Sequence, residues 1–165
     1  MKTLKAALVA ASALACAQAM ANTVVTPPPT TGDGSSVDCS HATPSLGVIW
    51  PPNHSMVSIS IMDVTSTAGA PVIQITGIQQ DESVNALGDG NTAPDGAIVN
   101  GSTALVRAER SGLGTGRYYY ISFMATDPYG ARCTGMVPVY VPHDQGQGIQ
   151  PTDTGLRFDS TVIPQ

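Results

Sequence analysis

Residues 117–126 read Arg117-Tyr118-Tyr119-Tyr120-Ile121-Ser122-Phe123-Met124-Ala125-Thr126. Successive side chains of a strand point to opposite faces. Tyr119, Ile121, Phe123 and Ala125 therefore share one face, and Tyr118, Tyr120, Ser122 and Met124 the other. Runs of the same period lie on both sides. Val57, Ile59 and Ile61 alternate with Ser58 and Ser60, and Val137, Val139 and Val141 fall into line. Residues 72–78 form a β-rich run ending near Gly77, and Leu105 and Val106 sit in a strand-like setting over 103–109. With residues 46–50 this makes six or seven short strands divided by Gly, Pro, Asn and Asp turns, and no sustained helical period. That pattern predicts an all-β, antiparallel Greek-key sandwich.

Three cysteines frame this body. Cys16 lies in a short apolar run behind Lys2 and Lys5, and Ala19-Met20-Ala21 is a small-x-small cleavage site. Residues 1–21 thus read as a secretory signal peptide, too short in its apolar part to span a bilayer. Cleavage after Ala21 would release the chain. The competing reading takes Ala13-Leu14-Ala15-Cys16 as a loose lipobox, with Cys16 lipidated and the chain tethered to a membrane. Export leaves Cys39 and Cys133 as the pair for a disulfide, two reduced buried thiols being the alternative. Residues 22–37 are a Pro/Thr/Gly/Ser linker, residues 38–142 the sandwich, and residues 143–165 a flexible C-terminal tail. Within the tail, residues 156–163 could add a short strand.

Beyond the signal, five arginines and no lysine stand against twelve acidic residues, a net charge of −7. Such a balance disfavours nucleic acid and anionic membrane surfaces as partners. It suits divalent cations better. The candidate ligands for calcium are Asp81, Glu82, Asp89, Asn91 and Asp95, all in the long segment 79–100, since calcium takes six to eight oxygen ligands. The simpler reading is that these residues close Asx turns beside Gly88, Gly90 and Gly96. Residues 111–116 carry three glycines but no following helix or P-loop lysine, so they read as a hairpin connection. His41, His54 and His143 show no metal-ligand spacing and suit loops. Arg107, Glu109 and Arg110 suggest a cross-strand ion network facing solvent or a partner strand. Trp50 is expected at the edge of the core, and Tyr118, Tyr120 and Tyr140 form an aromatic stripe expected to pack against the second sheet. No nucleophile elbow is present, and no catalytic residue is assigned.

Four strings occur in order: VIWPPNHSMVSISI (48–61), QDESVNALGDGNTAPDG (80–96), LVRAERSGLGTGRYYYISFMATDPYGARCTG (105–135) and VPVYVPHDQG (137–146). Together they resemble a bacterial extracellular module related to immunoglobulin-like, cadherin-like and hyalin-repeat domains, over residues 39–146. The resemblance implies an immunoglobulin-like sandwich and a secreted or cell-surface structural or adhesive role without catalysis, stabilised in some relatives by calcium. Related modules often carry an acidic turn after the second strand. Here residues 63–71 keep only Asp63, which puts a cadherin-type calcium site there in doubt. The partners it implies are an extracellular protein, a matrix component or a second copy of the chain; the location is extracellular, cell-surface or periplasmic. Two other functions compete with this one. The chain could be the subunit of an extracellular polymer, with residues 23–31 or 156–163 pairing with a strand edge of the next copy. It could also be a carbohydrate-binding module or small hydrolase, which would need a concave polar or aromatic site.

Overall fold

The computed structural model describes residues 34–85, 87–145 and 150–164. The expected signal peptide with Cys16, and the expected linker up to residue 33, lie outside the described residues. Among the described residues there is no helix. The strands are β1 (Val37–Asp38), β2 (Thr43–Pro44), β3 (Met56–Met62), β4 (Thr65–Ser66), β5 (Val72–Gln80), β6 (Gly96–Ile98), β7 (Thr103–Arg107), β8 (Gly116–Thr126), β9 (Arg132–Pro142) and β10 (Phe158–Asp159). One sheet runs β2-β3-β7-β6, the other β10-β5-β8-β9, and β1 pairs with β4 as a small ribbon. Every strand pairing is antiparallel. The expected strand over residues 46–50 is instead a single parallel bridge, Val48 to Tyr140.

The core fills the space between the two four-stranded sheets. Ile59, Ala104 and Val106 meet Ile75, Ile78, Tyr119, Ile121, Phe123, Ala125, Val137, Val139 and Val141, all buried. The alternation read from residues 117–126 holds: Tyr119, Ile121, Phe123 and Ala125 are the inward face of β8. β5 needs one correction to simple alternation. Ile75 and Ile78 are both buried although they stand three positions apart, which simple alternation would place on opposite faces. The register of β5 on β8 slips between Ile75 and Gly77, and this bulge turns the strand so that both isoleucines face inward.

Two fasteners close the edges. Cys39 and Cys133 form a disulfide with Cα atoms 6.0 Å apart, tying the N-terminal segment to edge strand β9. Gly135 lies beside it: a Cβ there would stand 2.6 Å from the Phe123 ring and 3.5 Å from Cys39 Cβ, so only glycine lets β9 lie over the phenyl ring. At the opposite edge the expected tail is part of the body over residues 150–164. β10 pairs with the end of β5, Phe158 opposite Gln80 and Asp159 opposite Gln79. Ser160 then donates its N–H to the Ile78 carbonyl at 3.0 Å and accepts the Gly96 N–H at 2.7 Å, stitching one sheet to the other. The strand expected within residues 156–163 is thus present, paired within its own chain.

Candidate functional site

The segment expected to be one long loop, 79–100, is shorter than its sequence suggested. Gln79 and Gln80 finish β5 and Gly96–Ile98 is strand β6, which leaves residues 81–95 to cross one end of the sandwich. Beneath that crossing lies Arg117, the first inward-facing position of β8, fully buried. Its Nε donates to Glu82 Oε2 at 2.9 Å, and its Nη1 to Asp95 Oδ2 at 2.8 Å and to the Tyr119 hydroxyl at 3.1 Å. Nη2 reaches Asp89 Oδ2 at 3.5 Å, and Glu109 Oε1 lies 3.7 Å from Nη1. Burial works against the Arg117 charge, but Tyr119, Asp95 and Glu82 outweigh it and hold the guanidinium above its ordinary value. Burial also raises Tyr119, against the pull of Arg117, which leaves its hydroxyl a neutral donor to the Arg107 carbonyl.

A second arginine shares the cluster. Arg107 of β7 donates from Nη1 to the His54 carbonyl at 3.0 Å and from Nη2 to the Pro94 carbonyl at 2.7 Å. Its Nε stands 3.6 Å from Asp95 Oδ1 and 4.0 Å from Glu109 Oε2. Glu109 Oε2 also accepts the Thr92 hydroxyl and lies 2.9 Å from His54 Nδ1. His54 itself has a positive φ of 64°, and its ring fills the space that a Cβ on Gly90 would need. Four segments of chain therefore meet on one set of buried charges: the residues before β3, the 81–95 crossing, the end of β7 and the start of β8.

The five residues nominated as calcium ligands divide. Glu82, Asp89 and Asp95 turn inward onto Arg117. Asp81 is buried on the other side of the strand, where Oδ1 accepts the Tyr118 N–H at 2.8 Å and Oδ2 the Thr154 N–H at 3.1 Å. Asn91 takes a left-handed turn position at φ 54° and donates its N–H to Asp89 Oδ1 in an Asx turn. Among the described residues, no group of three or more His, Cys, Asp or Glu side chains is arranged to hold a metal ion. The expected Arg107–Glu109–Arg110 network is also different. Glu109 is wholly buried in the cluster, while Arg110 leaves it and donates to the His143 carbonyl at 3.1 Å. In the sequence Arg117, the hub, stands out only as the start of a strand. The alternation that placed Tyr119 inward applies equally two residues earlier, and a buried arginine there requires buried carboxylates.

The tyrosine stripe lies on the outer face of its sheet, not between the sheets. Tyr118 and Tyr120 stack at 5.9 Å between centroids, and Tyr140 tilts against Tyr118 at 5.7 Å. The C-terminal segment covers it. Arg157 sits 3.8 Å above the Tyr120 ring, and Asp153 holds that guanidinium through two bonds of 3.0 Å. Arg157, the Tyr120 hydroxyl and the Gly155 N–H hold the Asp153 carboxyl well below its ordinary range. Burial, and the hydroxyl's bond to Asp153, push Tyr120 up. Trp50, expected at the core edge, is 40 % exposed. No family model, curated protein or solved structure matches the chain.

Proposed function

We propose that the chain is a non-catalytic immunoglobulin-like module, exported and displayed outside the cell in a structural or adhesive role. One observation carries the reading. The order β2-β3-β7-β6 against β5-β8-β9 corresponds to strands A-B-E-D and C-F-G of a constant-type immunoglobulin sandwich, with β10 added beside the C-equivalent strand. The departure is the disulfide, which joins the segment before β2 to the last long strand and not the two sheets at their centre. The disulfide suits an oxidising exterior. Asp89, Asp95 and Glu109 are buried around Arg117, which leaves them as structural groups and not as acids presented to a substrate.

What such a module offers a partner is its stiff loop end. Leu87 and Leu113 stand 81 % and 82 % exposed on neighbouring loops, joined by the Gly112 N–H to the Gly88 carbonyl at 3.1 Å. The test is made on intact cells expressing the full chain. An antibody should label the chain from outside and external protease should remove it, and cells carrying Leu87→Ser with Leu113→Ser should attach less well to an extracellular protein matrix. Retention of the chain in the cytoplasm would overturn the proposal, and unchanged attachment would remove the loop end from it.

A further inference from the structure

The charges of the cluster do not balance. Glu82, Asp89, Asp95 and Glu109 surround the guanidiniums of Arg117 and Arg107, with His54 at Glu109 the only further basic group in contact among the described residues. Four carboxylates face two fixed positive charges. Even a charged His54 would leave one negative charge uncompensated, in a region where Asp95, Glu109 and Arg117 are wholly buried. An isolated buried carboxylate takes up a proton sooner than it stays ionised.

Hydrogen bonding singles out which one. Glu82 also receives the Ser111 N–H at 2.8 Å, Asp89 the Asn91 N–H at 3.0 Å, and Glu109 the Thr92 hydroxyl. Asp95 receives Gln80 Nε2 and Arg117 Nη1, both at 2.8 Å and both on Oδ2. Its Oδ1 has no donor, and neither have the buried acceptors Gln80 Oε1 and Glu109 Oε1. Of the described donors of the cluster, Arg107 Nε, 3.6 Å from Asp95 Oδ1, is also left without a partner, so three buried acceptors stand against one donor, and a carboxylic acid proton supplies another.

We propose that Asp95 is carried as the neutral acid at neutral pH, so that the cluster is a proton-binding site that clamps the loop end to the body. The groups facing Asp95 are Arg117 and Tyr119 of β8, Arg107 of β7, Glu109 after it, and Glu82 and Asp89 of the crossing, with His54 behind Glu109. Burial raises Asp95 above its ordinary value against Gln80 and Arg117, and Glu109 adds to the rise. The sign follows: the folded chain holds a proton that the unfolded chain has released, so stability falls as pH rises from the unfolded value towards the folded one.

The test uses the full chain with its disulfide intact, isotopically labelled at aspartate carboxyls. Infrared spectra near pH 7 should show the carbonyl stretch of a protonated aspartic acid, absent from Asp95→Asn. The urea midpoint of the wild type should fall as pH rises from the ordinary aspartate range through neutrality, and that of Asp95→Asn should fall less. Three results would overturn the proposal: no protonated aspartate near neutrality, the same pH slope in Asp95→Asn, or a wild-type midpoint raised by millimolar calcium but not by magnesium. The last would mean that the carboxylates are ionised and take a cation. Should Asp95→Asn fail to fold, the infrared titration of the wild type still decides.

Discussion

Arg117 shows how one side chain can govern a whole end of the molecule. It occupies an apolar register position on β8, two residues before Tyr119, yet it carries a charge that water never reaches. Removing one partner from a buried ionic set costs about 3–5 kcal/mol, because the groups left behind remain buried and uncompensated. Arg117→Leu should therefore lose about that much in urea unfolding at neutral pH, and should recover part of it in mild acid as the abandoned carboxylates take up protons. A variant within about 1 kcal/mol of the wild type would show the cluster to be far better hydrated than its burial implies. The inward direction of Arg117 could be read from the sequence, because period two assigns a face to every residue of the strand. The direction of the acids could not. Asp81, Glu82, Asp89 and Asp95 are dense in glycine-rich sequence, and density alone fits a metal loop, a solvated loop or this inward set. Only the fold decides which charge each one meets.

At the scale of the element, the C-terminal segment is the least legible part of the chain. Its composition is that of a tail, and residues 152–157 are exposed, so no apolar pattern announces a docked strand. What holds it is backbone pairing and single anchors. Pro151 packs over Gly116, Thr154 bonds Asp81 through both its N–H and its hydroxyl, Arg157 covers Tyr120, and Ser160 links Ile78 to Gly96. The same anchors explain why Tyr118, Tyr120 and Tyr140 lie outside the core: their cover is this segment and not the second sheet. Deleting residues 156–165 would bare the Gly96 N–H and the Ile78 carbonyl at a sheet edge. Amide exchange at Gly96 should then accelerate by at least tenfold, while Ile121 and Val139 in the core keep most of their protection. Uniform acceleration across both sheets would make the segment part of one cooperative unit, and no change at Gly96 would mean that β6 holds its own edge.

For the whole molecule, the question is how the sheet β10-β5-β8-β9 keeps its two edges. One edge has β5 with β10 laid over it. The other has β9, whose outer side is met by residues 47–49 at Tyr140, interrupted by Pro138, and pinned at Cys133. Proline within an edge strand and covering chain are the usual ways of denying that edge to another copy. The Cys39–Cys133 bridge closes 94 residues of sequence, nearly the whole sandwich, so its removal frees the unfolded chain more than a local clip would. The chain-entropy account puts its contribution at about 4–5 kcal/mol. Cys39→Ser with Cys133→Ser should lower the free energy of unfolding by about 2–5 kcal/mol, with a larger m-value because the freed unfolded chain exposes more surface. The bridge and the C-terminal strand fasten opposite edges and share no residue, so combining their removal should cost the sum of the two within about 0.5 kcal/mol. A combined loss well above that sum would mean that each fastener compensates for the other, and that the two sheets stay together only while one edge is closed.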